Sequence, residues 1–277
     1  MITKAHVARV ARSGDARYQR GDYQGAASEY REALMLAQKC DAITSLEFSS
    51  LLNSVGMVCK YLGTFEEAER AYRRALAIAE QVLGPDDPWL AALYHNLGGL
   101  EHARGRYAAG EPLARRSVEL RERALGPDHV DVAADLAALA ALLDGQRKFE
   151  DSEPMYRRAL DIFERAYGPD HYEIAVNLAN LAALKHAQGK LAEAEPLYRR
   201  ALEIKQRHLG ATHPSVGTTF NNMAVLAQAR GDYATAESLF ARALSILEPA
   251  LGAEHPNLAA CRRGYADAHR SNKFSCA

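Results

Sequence analysis

Leu209-Gly210-Ala211-Thr212-His213-Pro214-Ser215-Val216, followed by Asn221-Asn222 and then by Gly231-Asp232-Tyr233, decides the reading of this chain, because the chain keeps rewriting it. Leu-Gly recurs at Leu83-Gly84, Leu125-Gly126 and Leu251-Gly252, with Tyr167-Gly168 in the remaining slot, so these glycines advance by 42 residues each time. A second marker, glycine then a polar residue then an aromatic or leucine, keeps the same step at Gly21, Gly63, Gly105, Gly189 and Gly231, and Arg147-Lys148-Phe149 breaks it. A fixed period of this size marks a solenoid, in which one supersecondary unit repeats and each copy buries its apolar face on its neighbours.

Within one period the pattern predicts helix, tight turn, helix. Between residues 172 and 209, Ile174, Leu178, Leu181, Ala182 and Leu184 follow the 3 and 4 spacing of one helical face. Gly189 then closes that helix as a residue able to take a positive φ. Ala194, Leu197, Tyr198, Ala201, Leu202 and Ile204 form the face of the second helix. The next helix opens at His213-Pro214, where proline suits a first helical position because its missing amide would have no partner there. Alanines seven apart (Ala26 and Ala33, Ala68 and Ala75, Ala194 and Ala201, Ala236 and Ala243) let two helices approach closely, and an aromatic between them (Tyr30, Tyr72, Tyr156, Tyr198, Phe240) fills the adjoining gap.

A Leu-Gly or Leu-Ala pair in the first helix, Gly-x-aromatic at the turn and Ala-x3-aromatic-x2-Ala in the second resemble the tetratricopeptide repeat. The 42-residue step, the joints built like Leu-Gly-Pro-Asp-His and the Asn-Asn or Asn-Leu first helices resemble in particular the repeats of kinesin light chains and their bacterial relatives, over roughly residues 5 to 272. The expected fold is all-α: a right-handed superhelical solenoid of antiparallel helix pairs forming a single array over 1–277. Its repeats are expected near 5–41, 44–83, 88–125, 130–167, 172–209 and 214–251, with a C-terminal capping helix at 256–271. Repeat three, with Gly110, Ala114 and Ser117 at the small and aromatic positions, and repeat four, with Arg147 at its turn, are expected to pack differently from the rest.

Lys and Arg number 34 against 35 Asp and Glu, which leaves no net field to draw the chain to nucleic acid or an anionic membrane. The longest near-continuous apolar run, Leu136 to Leu143, is too short to span a bilayer. The Arg-rich opening residues fall in phase with the repeat and read as its first helix, not as a targeting segment. Cys40, Cys59, Cys261 and Cys276 show no metal or disulfide spacing. Cys59 is expected in the core and Cys276 as an exposed thiol, and a reducing, cytoplasmic setting is expected for the whole.

His129, His171, His213 and His255 recur once per repeat, with Asp87 in the fifth slot. One per repeat is too sparse to share an ion, so these are expected to be joint residues, as Asp87 is a good helix cap. The paired arginines Arg73-Arg74, Arg115-Arg116, Arg157-Arg158 and Arg199-Arg200 follow Glu69, Glu111, Glu153 and Glu195 by four residues, which predicts a largely self-neutralised outer stripe. No nucleophile elbow, zinc-binding or phosphate-loop motif is present, so neither catalysis nor a cofactor is expected.

Binding is expected on the first helices. Asn96, Asn180 and Asn222 occupy one repeat position; Asn53, His95 and Asn221 lie one residue earlier, and Lys60, His102, His186 and Gln228 one or two turns later. Such a face offers donors and acceptors to the main chain of an extended peptide. The resemblance implies the same use, since asparagines at this position on the concave wall of that family hold peptide backbones. The competing reading is that they bond only between neighbouring helices. The function expected is a protein-interaction scaffold taking an extended, neutral to acidic partner segment into its groove. A sensor or autoinhibitory arm of a larger signalling ATPase, or a self-assembling structural solenoid, are the alternatives. Oligomeric state is not legible.

Overall fold

The computed structural model describes residues 2–252 and 255–275, and Cys276 lies outside them. The chain is an all-helical repeat solenoid, 83% helix with no strand among the described residues. Its helices are α1 (Lys4–Gln19), α2 (Tyr23–Ala37), α3 (Ser45–Tyr61), α4 (Phe65–Leu83), α5 (Ala91–Ala103), α6 (Tyr107–Leu125), α7 (Val130–Gly145), α8 (Phe149–Tyr167), α9 (Tyr172–Ala187), α10 (Leu191–Leu209), α11 (Pro214–Ala229), α12 (Tyr233–Ala250) and α13 (Pro256–Ser275), and a 3-10 turn at Pro88–Leu90 leads into α5.

The turn within each pair needs one residue in the left-handed region. Gly105 supplies it at φ 70°, and Arg147, the residue that breaks the glycine marker, adopts the same conformation at φ 62°. A side chain there costs roughly 1–2 kcal/mol, and the Arg147 guanidinium lies over the Phe149 ring at 5.5 Å. Between pairs the helices are capped as expected. Asp87 accepts from the Trp89 amide at 2.8 Å, and the imidazole Nδ1 of His129, His171, His213 and His255 accepts from the amide two residues on at 3.1, 3.3, 3.1 and 3.1 Å. The lone pair on Nδ1 here takes the place of an aspartate cap's oxygen.

The alanine pairs and their aromatics are the core. Ala68, Tyr72 and Ala75 have no exposed surface, and a Cβ placed on Gly56 of α3 would sit 2.6 Å from the Tyr72 ring. That close approach is what the small residues provide. In the third pair, where Ala114 replaces the aromatic, Leu142 of α7 comes within 2.5 Å of where a Gly110 Cβ would stand, and Ser117 Oγ donates to Ala91 O at 2.9 Å.

The contacts divide the chain into two compact units, Met1–Met155 and Tyr156–Ala277, with α8 running across the division. In the first unit α3 touches α5 and α5 touches α7; in the second α9 touches α11 and α11 touches α13. The second helices pack chiefly on the first helices. Each unit therefore has an inner wall made of first helices.

Candidate functional site

On the inner wall of the first unit, α3 contributes Asn53 and Lys60, and α5 contributes His95, Asn96 and His102. Asn96 Nδ2 donates to Asn53 Oδ1 at 2.9 Å, so these two join neighbouring helices. Pairing spends one donor and one acceptor; the second Asn96 N–H, the Asn96 carbonyl and the Asn53 amine remain on a half-buried surface.

His95 is held more firmly. Its Nδ1 lies 2.7 Å from Asp135 Oδ1 on α7, and Arg121 Nε of α6 donates to Asp135 Oδ2 at 2.6 Å. Asp135 is 1% exposed, and both its oxygens are engaged. A carboxylate beside Nδ1 fixes that nitrogen as the donor and turns Nε2 into the remaining functional atom of a ring that is one-third exposed. Sequence reasoning placed His95 on the wall and missed Asp135 and Arg121, which lock it.

Lys60 lies over the Tyr61 ring at 5.3 Å, and its ammonium is 3.4 Å from where a Cβ on Gly99 would be. Gly99 thus leaves room for the lysine on α5. His102 is solvent-exposed, and its ring meets Tyr107 at 5.4 Å. Crowding by the protein, and then the nearby Lys60 charge, lower its pKa. It is a neutral hydrogen-bonding group at pH 7, and Lys60 is the cation of this part of the wall.

In the second unit Asn180 and His186 stand on α9 and Asn221, Asn222 and Gln228 on α11. Asn221 Nδ2 reaches Asn222 Oδ1 at 3.4 Å, a weak bond. Asn180 makes no side-chain hydrogen bond among the described residues. Burial lowers the pKa of His186, which is therefore also neutral at pH 7. Behind this wall Lys205 of α10 is buried without a counter-ion among the described residues, its Nζ donating to Thr219 Oγ1 at 3.0 Å, and burial depresses its pKa to about 8.

A periodic signal marked these hidden groups. Asp135, Asn177 and Thr219 share one repeat position, and Arg121 and Lys205 share another 14 residues earlier. The first position is buried throughout and the second is buried at Lys205 and partly buried at Arg121, so polar residues there need partners.

The arginine stripe is neutralised in two ways. Arg73, Arg115 and Arg199 bond the glutamates four residues before them at 2.9, 2.8 and 2.6 Å. The second arginine of a pair reaches back to the preceding joint, Arg116 to Pro85 O and Arg200 to Pro169 O, each at 3.0 Å. No group of three or more His, Cys, Asp or Glu among the described residues is placed to hold a metal ion. None of the described helices is long and apolar enough to cross a membrane.

The tetratricopeptide repeat family profile matches residues 47–109, 89–165, 145–207 and 215–275. Among solved structures, BtubC (BKLC) from P. vanneervenii is 28% identical, aligning over 84% of this chain and 91% of its own at a TM-score of 0.56. A putative kinesin light chain of Podospora anserina with nearly identical TPR-like repeats is 20% identical over 73% of this chain and 96% of its own, with a TM-score of 0.52. A Rap protein complexed with Competence and Sporulation Factor is 13% identical over 94% of this chain and 74% of its own, with a TM-score of 0.63. Among curated protein sequences none matches the chain.

Proposed function

We propose that this chain, which belongs to the tetratricopeptide repeat family, is a protein-interaction scaffold that takes an extended segment of a partner along its inner walls of first helices. The observation that carries this reading is the locked His95. The buried Asp135, itself held by Arg121, fixes an imidazole that is one-third exposed beside the Asn53–Asn96 pair, so the tie that joins α5, α6 and α7 also aims a polar ring at the wall's surface. Polar groups already oriented by their neighbours lose little entropy when they bind, and their spare donors and acceptors match the main chain of an extended peptide. Lys60 adds one positive charge, so the segment facing the first unit is neutral to acidic. The second unit, with Asn180, Asn221, Asn222 and Gln228, offers amides together with the His186 imidazole. The same fold in the Rap protein is found complexed with Competence and Sporulation Factor, which supports a ligand-holding use.

Affinity capture from a lysate of the source cell, with the intact chain beside a variant carrying Asn96→Ala, Asn180→Ala and Asn222→Ala and a second carrying His95→Ala, tests the reading. A partner retained by the intact chain and lost by both folded variants supports it. Equal retention by all three moves the interface off the inner walls.

A second reading is favoured by one similarity. A signal transduction ATPase with numerous domains from Pyrococcus horikoshii, described as carrying a tetratricopeptide repeat sensor, aligns with 96% of this chain over 39% of its own at 15% identity and a TM-score of 0.58. In that reading the array senses on behalf of a larger polypeptide. An in-frame nucleotide-binding domain in the gene would support it, and its absence would remove it.

A further inference from the structure

Lys60, His102, His186 and Gln228 share one position of the 42-residue repeat, and the residue that repeat four supplies there is Asp144. The carbonyl end of a helix carries partial negative charge, so a cation is favoured there and an anion is not. α3, α5 and α9 each place a basic residue in the last turn, Lys60, His102 and His186 among them. α7 has no basic residue in its last turn and carries Asp144 there instead.

Asp144 Oδ1 is buried with no hydrogen-bond partner among the described residues. Burial alone raises its pKa to about 6, which leaves the group ionised at pH 7.5. The two bases that follow it are engaged elsewhere: Lys148 Nζ donates to Glu111 Oε2 at 2.8 Å, and the Arg147 guanidinium lies over the Phe149 ring. Gln146 is committed as well, its Nε2 donating to Glu111 Oε2 and Leu142 O. A partly buried carboxylate at a negative helix end costs stability, and a cation brought by a partner would offset that cost.

The surroundings suit a long basic side chain. Next to Asp144, Gly145 leaves room for the Tyr107 ring, which a Cβ there would strike. Tyr107 is half-buried and also meets the His102 ring. It offers apolar surface to the methylenes of a lysine or arginine whose charged end reaches Asp144. Lys60 on α3 and Asp144 on α7 are two first helices apart, on the order of 20 Å. An extended segment covers that span in about six residues.

We propose that Asp144 receives a lysine or arginine side chain of the partner segment, so that the first unit's wall takes a basic residue at α7 and, about six residues away, an acidic one at Lys60. This rests on the inner-wall reading and adds to it a charge pattern that fixes which way a given segment lies.

A phage-displayed random dodecapeptide library is panned against the full chain at pH 7.5, with counter-selection on an Asn53→Ala, Asn96→Ala variant whose fold is checked by circular dichroism. The peptides retained should carry Lys or Arg about six residues from Asp or Glu. For a synthetic peptide of the leading sequence, Asp144→Asn should weaken binding by about tenfold or more. Glutamine in place of the peptide's base should weaken it to the same extent, and the two changes together should cost no more than either alone. Asp144→Asn relieves the unanswered carboxylate, so the variant should be at least as stable as the parent at this pH, and lost binding then reports the contact and not the fold. Wall-dependent peptides with no basic preference, or losses that multiply in the double change, overturn the inference and leave the inner-wall reading standing. A selection in which no peptide distinguishes the parent from the Asn53→Ala, Asn96→Ala variant overturns both.

Discussion

Tyr30 and Tyr72 occupy the same repeat position and are both fully buried, yet their hydroxyls differ. Tyr30 Oη donates to Asp15 Oδ1 at 2.8 Å, whereas Tyr72 Oη is buried with no hydrogen-bond partner. Removing a satisfied buried hydroxyl and removing an orphaned one have opposite signs, so Tyr30→Phe should destabilise by about 1 kcal/mol and Tyr72→Phe should stabilise by about 1 kcal/mol. Urea unfolding of the two variants checks it, and a shared sign would contradict the assignment of the orphan. Asp144 is a second misfit. Its Oδ1 is buried without a partner, and burial alone raises its pKa from 3.8 to about 6. A raised folded-state pKa means the favoured form is the neutral acid: the stability it confers is full below pH 3.8 and is lost as pH rises through about 6. Asp144→Asn should therefore gain about 1–2 kcal/mol at pH 7.5, after discounting for partial solvation, and little at pH 3.5. Equal gains at both pH values would show that the carboxylate is not the cause.

At the scale of the helix the sequence was most legible, because every boundary has a local chemical cause that repeats. The cap at Asp87, proline at the first position of α11 and the turn glycines were all readable from residue type and spacing. Arg147 shows the limit of that legibility. It holds a left-handed turn without being glycine, and only its place in the period reveals this. The inner wall was legible as a set of positions and not as a set of bonds. That Asn53 and Asn96 pair, or that His95 leans on a buried Asp135, depends on contacts between residues about 40 apart, which a single-helix pattern does not encode. The histidine caps give this scale its prediction. His213 Nδ1 accepts from the Ser215 amide, and burial first, then the Lys205 charge, lower its pKa below 6.5. Protonation both removes the acceptor and charges a half-buried ring. With the folded pKa depressed, the stability is fully present above about pH 6.5 and falls as pH drops through the lower folded value. His213→Asn should keep the cap and flatten the stability profile between pH 7 and 5, while His213→Ala should cost about 1 kcal/mol at pH 7.5. A profile equally steep in the asparagine variant would place the titration elsewhere.

At the scale of the whole chain, the contacts within each unit join helices that are neighbours or next-but-one neighbours in sequence. An array built this way has no central core through which every part stabilises every other, and its stability is close to a sum of repeat and nearest-neighbour terms. A lesion should then be felt locally. Asp135 provides a severe one, because it joins three elements: α7 that carries it, α6 through Arg121 and α5 through His95. Replacing it by asparagine removes the buried carboxylate that holds both Arg121 and His95 and leaves Arg121 only Asp131, a loss of about 1–3 kcal/mol. Hydrogen exchange followed by mass spectrometry should show faster exchange in α5, α6 and α7 of the Asp135→Asn variant. Protection in α11 and α12, whose core of Phe220, Ala224, Phe240 and Ala243 is shared with α13 and not with α7, should be unchanged. Uniform loss of protection along the chain would mean that the repeats unfold as one cooperative body. A local loss would have a functional reading as well: the same substitution frees His95, so the partner segment should lose its contact on the first unit's wall.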